Sequence, residues 1–363
     1  MKYIIYLNVL ILLMSSCISE EKNEEVIIGN LSKKNIQYSE ESVTEFKAKI
    51  FRFKNDNSPV ISGKNLIKGY KSKYFYILDR STSAVQKYNR EGKKLSSFVA
   101  KGRGPKEIEN AIDFTVDENG FAYILDVGNQ KILALDDQLN FKNEFSPVNS
   151  FSRLSHISAR DSGFIALNNP ELDMHVFEVY DIDGKKKADF GEIDKFTYGG
   201  SRDFDSIHTR IMNLAKAGFY GTDIYVMYYT RPVFEVYDGN LELIRKIEYE
   251  NEHIAHRRKL YDEKLKEAQK NPNRSPSARK IQYYFLDMIS NGDGQFELLT
   301  LFDENSIYVL NQKGDFVKKI KFNFDDVIEK NSPALVRYIA KTDDNEYVSQ
   351  EAVSSIIIKL KPL

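Results

Sequence analysis

The stretch AIDFTVDENGFAYILDVGNQKILALDDQLNFKNEF, residues 111–145, decides the fold. Ile112, Phe114 and Val116 alternate with polar residues, and Asp117-Glu118-Asn119-Gly120 supplies a turn. Residues 121–125 form a β-rich run ending at Asp126, and Gly128-Asn129 turn the chain again. Residues 132–135 make a third run, Asp136-Asp137 another turn, and residues 141–145 a fourth. Alternation bounded by Gly, Asn and Asp is the signature of strands joined by hairpins. A four-stranded meander this small cannot bury both faces by itself, so it requires copies of itself.

The copies are present. Tyr76-Ile77-Leu78-Asp79 repeats as Tyr123-Ile124-Leu125-Asp126 at a spacing of 47. The ends of third strands recur at Tyr88, Leu135, Tyr180, Tyr237, Leu310 and Leu360, spaced by 47, 45, 57, 73 and 50 residues. A period of this size with four strands per unit means propeller blades. The expected fold is all-β: a six-bladed β-propeller of four-stranded antiparallel blades, with a helical insertion between blades four and five. Blade six runs out of chain after its third strand, and Phe46-Lys47-Ala48-Lys49-Ile50-Phe51-Arg52-Phe53 alternates in a way that suits the missing outer strand. Closing the ring so leaves no open sheet edge there. The domain plan is a signal over residues 1–17, a tether over 18–42 and the propeller over 43–363.

Charge is balanced, with 52 Lys+Arg against 53 Asp+Glu, so nothing global points to nucleic acid. Lys2 and the apolar residues 3–14 read as an export signal, too short to span a bilayer comfortably. It ends in Met14-Ser15-Ser16-Cys17, and Cys17 is the one cysteine in the chain, so no intramolecular disulfide can form. The pattern resembles a bacterial lipobox with Cys17 lipidated, an anchor that holds a protein to a membrane without spanning it. The acidic run after it resembles a surface-export signal, which makes the expected address the outer membrane, facing outward.

Two segments fall outside the blades. Residues 191–210 read as a long polar loop, and residues 252–270 as a helix within an insert of about 251–282. The nine Lys/Arg against four Asp/Glu of residues 251–280 give this insert a local charge of plus five. Propeller geometry puts each second-to-third turn on the same face as the connections between blades. That face carries the long loops and is the expected binding face. Its most individual stretch is Gly102-Arg103-Gly104-Pro105-Lys106-Glu107, in which Gly102 and Gly104 free the backbone and Arg103 could meet a carboxylate or phosphate. Turn chemistry alone also accounts for the Gly and Pro. Asp79, Asp126 and Asp303 end second strands on that face and could hold a ligand or Ca²⁺, or cap their own turns. His253 and His256 lie three apart with no third metal ligand in the pattern.

A lipobox-like leader, six NHL-like blades and a GxGPxE element after the first blade resemble the six-bladed β-propeller lipoprotein family of Bacteroidota, related to NHL and TolB-like propellers. In Lys106 this chain departs from the Gly common there in that family. The resemblance implies a fold and an address rather than an activity. The expected function is a lipid-anchored binding or interaction module for a glycan, peptide or envelope protein, with no resident cofactor. The alternative is a Ca²⁺-dependent hydrolase or lyase of the lactonase-like propeller type. Replacing Cys17 with Ala should move the protein from the membrane fraction to the soluble fraction on ultracentrifugation; continued membrane association would refute lipidation as the attachment.

Overall fold

The computed structural model describes residues 26–28, 31–51, 65–70, 73–147, 154–170, 175–195, 206–269, 283–290, 293–301, 303, 306–324, 336–343, 346–351 and 357–363. Cys17 and the leader lie outside these. The N-terminal part supplies three strands, β1 (Val26–Ile28), β2 (Leu31–Asn35) and β3 (Val43–Ile50). Blade one holds β4 (Asn65–Tyr70), β5 (Tyr74–Asp79), β6 (Ala84–Asn89) and β7 (Lys94–Val99). Blade two holds β8 (Ala111–Val116), β9 (Ala122–Asp126), β10 (Lys131–Leu135) and β11 (Phe141–Phe145). Blade three holds β12 (His156–Asp161), β13 (Phe164–Asn168), β14 (His175–Tyr180) and β15 (Lys186–Glu192). After helix α1 (Ser206–Met212) comes blade four, with β16 (Ala215–Tyr220), β17 (Asp223–Tyr228), β18 (Val233–Tyr237) and β19 (Leu243–Glu250). Helix α2 (Glu252–Gln269) precedes blade five, with β20 (Phe285–Ser290), β21 (Phe296–Thr300), β22 (Ile307–Leu310) and β23 (Phe316–Asn323). Blade six holds β24 (Val336–Asp343), β25 (Glu346–Glu351) and β26 (Ile357–Pro362).

Within each blade successive strands pair antiparallel. The innermost strands β4, β8, β12, β16, β20 and β24 each touch the next, and β24 touches β4, so the ring is closed. An apolar layer lies between every neighbouring pair of blades. Leu66, Tyr76 and Leu78 meet Phe114, Ile124 and Leu133 between blades one and two, and Phe75 and Tyr88 meet Ala340 and Val348 between blades one and six. Each sheet thus buries both faces except at the rims, which is why the second strands are buried end to end, as in β9.

The third-to-fourth turns are built from one recurring device. Asn89, Asp136, Asp181, Asp238 and Asn311 each accept hydrogen bonds from the backbone N–H groups two and four residues on, at 2.8–3.2 Å. The residue three positions on then takes a left-handed conformation. It is Gly in three blades and Leu139 (φ 63°) and Leu241 (φ 68°) in the other two. A side-chain carbonyl that replaces backbone acceptors fixes such a turn without a specific partner elsewhere.

Strand β3 does more than complete blade six. It pairs antiparallel with β26, from Ile358↔Ile50 to Pro362↔Phe46, and parallel with β23, from Lys319↔Val43 to Asn323↔Lys47. Blades five and six are thereby one eight-stranded sheet. The strand begins at Val43 rather than at Phe46 as the alternation suggests, because its first half serves blade five.

The stretch expected to be a tether also differs. Strand β2 runs parallel to β19 on the outer edge of blade four, and β1 folds back on β2. An open edge presents unpaired N–H and C=O groups, and LSKKN satisfies those of β19 chiefly through its backbone, with Ser32 Oγ donating to Lys246 O at 3.5 Å. With so few apolar residues, the pattern carries no periodic signal. The polar run at 191–210 likewise ends in helix α1.

Phe46 is buried in the closing strand, its ring 5.6 Å from that of Tyr347. Phe46→Ala should cost about 3–5 kcal/mol, measured as a loss of urea-unfolding free energy at unchanged far-UV circular dichroism.

Candidate functional site

The GRGPKE loop closes on its own glutamate. Glu107 Oε2 accepts the Gly104 N–H at 2.7 Å, and a Cβ on Gly102 would collide with that carboxylate. Asn129 Nδ2 donates to Gly102 O at 2.9 Å and Glu107 O at 3.0 Å, and Lys131 Nζ to Gly104 O at 3.1 Å. Lys106 takes φ 61°, the left-handed region, held there by its N–H to Glu144 at 2.9 Å and by its ammonium over the Phe141 ring. A Gly at this position would adopt that conformation without strain. Arg103 points outward, 82% exposed, paired with Glu109 at 2.5 Å.

Asp79, Asp126 and Asp303 sit at the ends of second strands or just beyond, each nearly buried. The Asp79 carboxylate accepts from the Ser81 N–H, Ser81 Oγ and Thr82 Oγ1 at 2.6–2.9 Å. Asp126 accepts from the N–H groups of Glu109, Asn110 and Gly128 at 2.8–3.1 Å, which ties the second-to-third turn of blade two to the connection from blade one. Asp303 takes Lys319 Nζ at 2.8 Å, Tyr38 OH at 3.2 Å and the Tyr308 hydroxyl. His253 Nε2 joins that group at 3.3 Å from Tyr38 OH. The three aspartates therefore act in separate blades. Among the described residues no three His, Cys, Asp or Glu side chains gather as a metal-holding group.

Two concavities stand out. The larger, of ≈ 540 Å³, lies on the long-loop face at blade four, walled by β2, α1, the Thr230–Arg231–Pro232 turn and α2. Leu31, Ile211, Met212, Val233, Tyr261 and Tyr284 give it apolar and aromatic surface. Asp194 binds Lys246 at 3.0 Å and also pairs with Arg231, whose guanidinium lies 3.8 Å from the Tyr228 ring centroid. Burial raises the Asp194 carboxyl, but Arg231 and Lys246 outweigh it and hold the group below the usual carboxylate value. Arg258 pairs with Glu248 and Glu250 at 3.1 Å on the rim.

The smaller, of ≈ 120 Å³, is in the central channel. It is lined by the later residues of innermost strands, Gly69, Val116, Gly218 and Ser290 among them, and so opens toward the face of the short turns. Lys68 from blade one and Lys216 from blade four approach Asp287 from blade five, Lys68 at 3.6 Å. Asp113 from blade two meets His156 Nδ1 at 3.3 Å, and the imidazole stacks on Tyr229 with centroids 4.4 Å apart. Strand bulges lie between Ala111 and Asp113 and between Phe285 and Asp287, re-aiming both aspartates into the channel. Each aspartate then bonds the next backbone N–H, Phe114 or Met288, and one in the following blade, Ile157 or Ile339. Lysines in opposite blades and aspartates in opposite blades give the channel an approximate two-fold charge pattern.

Residues 54–296 match the family described as 6-bladed beta-propeller. The chain belongs to that 6-bladed beta-propeller family. No curated protein matches it. Among solved structures it is similar to a protein of Bacteroides fragilis provisionally named as exported, at 13% identity and TM-score 0.53, over 91% of this chain and 98% of that one. Virginiamycin B lyase from Staphylococcus aureus is similar at 10% identity and TM-score 0.51, over 88% and 100% of the two chains. A Bacteroides vulgatus protein is similar at 9% identity and TM-score 0.52, over 88% and 96%. At these identities the likeness is one of fold.

Within this propeller, sequence reading passed over Lys68, Asp113, His156, Lys216 and Asp287. The signal for four of them is an ionisable residue within an otherwise apolar first strand, as in AIDF and FLDM, while His156 opens its strand. Burial pushes the Asp113 carboxyl up, but Lys68 and the His156 bond overcome it and bring it down to about 2 from an ordinary 3.8. A carboxyl depressed in the folded state contributes stability above its unfolded value, and that contribution is lost as pH falls toward 2. The Asp113 contribution is therefore about 2 kcal/mol, present at pH 5 and fading between roughly pH 4 and 2. Asp113→Asn should flatten the pH dependence of the urea midpoint across that window.

Proposed function

We propose that this propeller is a lipid-anchored outer-membrane protein that binds a peptide, glycan or envelope partner in the blade-four cleft. The observation that carries the reading is the ≈ 540 Å³ cleft on the long-loop face, with apolar and tyrosine walls and paired charges at its rim. A largely apolar concavity with a few fixed donors and acceptors suits a ligand that has both an apolar face and polar groups. Because Asp194 and Glu235 together balance Arg231 and Lys246, recognition there rests on shape and hydrogen bonding rather than on strong net charge. Aromatic walls such as Tyr261 and Tyr284 offer stacking surface to a sugar ring or a peptide side chain.

The alternative, a Ca²⁺-dependent hydrolase or lyase, draws on a fold shared with a lyase. Against it, the channel carboxylates already carry Lys68, Lys216 and His156, so a calcium ion would have to displace cations. A thermal-shift screen of peptides and oligosaccharides on the full chain in detergent tests the binding reading. A hit should lose at least about tenfold in affinity, roughly 1.4 kcal/mol, in Tyr261→Ala, and Met212→Arg should abolish it. Hits indifferent to both variants, or stoichiometric calcium by elemental analysis, would overturn the cleft as the site.

A further inference from the structure

The channel cavity brings two ammonium groups to a single carboxylate. Lys216 is nearly buried, and its ammonium sits on Asp287 Oδ1. Lys68, with its side chain 12% exposed, has the same Oδ1 as its carboxylate neighbour at 3.6 Å, beyond hydrogen-bonding reach. That oxygen also accepts the Met288 N–H at 3.0 Å, and Oδ2 is turned to the Ile339 N–H at 3.4 Å. Two ammonium groups, six N–H donors in all, thus converge on one oxygen already in use. Asp113 is the second negative group of the channel, and it is committed to His156 and to the Phe114 and Ile157 N–H groups. The formal charges of two lysines and two aspartates cancel across the channel; Asp287 lines this cavity with Lys68 and Lys216, and Asp113 acts on both lysines from beyond its wall.

Glycines stand beside them where neighbouring strands close in. Gly69 follows Lys68, and Gly218 lies two residues beyond Lys216 on the opposite blade; both line the cavity. A Cβ on Gly69 would come within 2.9 Å of Lys341 O, and one on Gly218 within 3.0 Å of Met288 Cε. Thr115 and Ser158 add hydroxyl-bearing side chains to the lining. From this geometry we infer that the channel cavity is a binding site for a small oxyanion, a carboxylate or phosphate group held between Lys68 and Lys216. A carboxylate has about the volume of a few waters and fits the ≈ 120 Å³ present. Its oxygens would give the Lys68 donors acceptors and place negative charge between two like charges, where buried cations require it. Burial lowers the Lys216 ammonium, with Asp287 opposing; burial lowers Lys68 too, but Asp287 and Asp113 outweigh it and hold that ammonium above its ordinary value. The site faces away from the blade-four cleft, so it stands or falls independently of the reading above.

The test is a thermal-shift titration of the full chain in detergent with sodium acetate and, separately, sodium phosphate, at ionic strength fixed with sodium chloride. The expected result is a saturable rise in Tm with at least one oxyanion over chloride, the stronger arm identifying carboxylate or phosphate chemistry. Lys68→Met should weaken the response at least tenfold and Lys68→Arg should retain part of it. Gly218→Ala, whose Cβ would crowd Met288 Cε and Ser290 Cβ in the cavity wall, should also weaken the response several-fold. If Lys68→Met does not fold, equilibrium dialysis of radiolabelled acetate and phosphate against the unmodified protein and Gly218→Ala decides the matter. No rise above chloride, no stoichiometric binding, or equal binding by Gly218→Ala and the unmodified chain would overturn the inference.

Discussion

Everything in this molecule depends on one strand being shared. β3 lends its first half to β23 and its second half to β26, and those hydrogen bonds turn six separate meanders into a closed ring. Only when the ring is closed does each blade have a neighbour on both faces, and only then do the apolar layers between blades exist in full. Closure also brings the innermost strands to a common axis, where their polar residues have no partners except one another. The charge pairs of the channel are thus a consequence of the same pairing that seals the rim.

Those channel charges follow a simple rule of compensation. A buried ammonium or carboxylate is costly alone and tolerable when paired and hydrogen-bonded. Asp113 and Asp287 meet the rule twice over, accepting backbone N–H groups freed at strand bulges and feeling the lysines of other blades. Each also reaches the first strand of the next blade, so the aspartates fasten blade two to three and blade five to six near the axis. The rim does the same through Asn and Asp turns whose backbone donors lie within their own five residues, with Lys142 and Lys187 paired to Asp136 and Asp181.

Blade number, blade limits, the closing strand and the helical insert were legible because each depends on local pattern. Alternation marks the strands, and Asp117-Glu118-Asn119-Gly120 or Asp181-Ile182-Asp183-Gly184 marks the turns. The β1–β2 hairpin was not legible, since LSKKN joins β19 by backbone hydrogen bonds that leave no trace in side-chain periodicity. The GRGPKE loop was visible as an unusual turn, but not the closure of Glu107 onto Gly104 or the left-handed Lys106, which rest on Glu144 and Phe141 of a later strand. The cleft was legible only as a face. Its walls come from β2, α1, a blade turn and α2, segments far apart in the chain that the ring alone brings together.

The shared strand has a further implication for how the molecule is made. Val43 pairs with Lys319 and Ile50 with Ile358, so the earliest part of the propeller to be synthesised must wait for nearly the last before it has a partner. Contacts of such long sequence separation form late, because loop-closure entropy has to be met before they yield anything. Blades one to three, with local pairings only, can assemble as the chain emerges, while an unpaired β3 trails from the front of the nascent protein. A nascent chain in that condition carries an exposed, alternating strand that must be kept from pairing with strangers. The alternation of Glu45, Lys47 and Lys49 with Phe46 and Ala48 provides for this, charging one face of the waiting strand while reserving the other for the core.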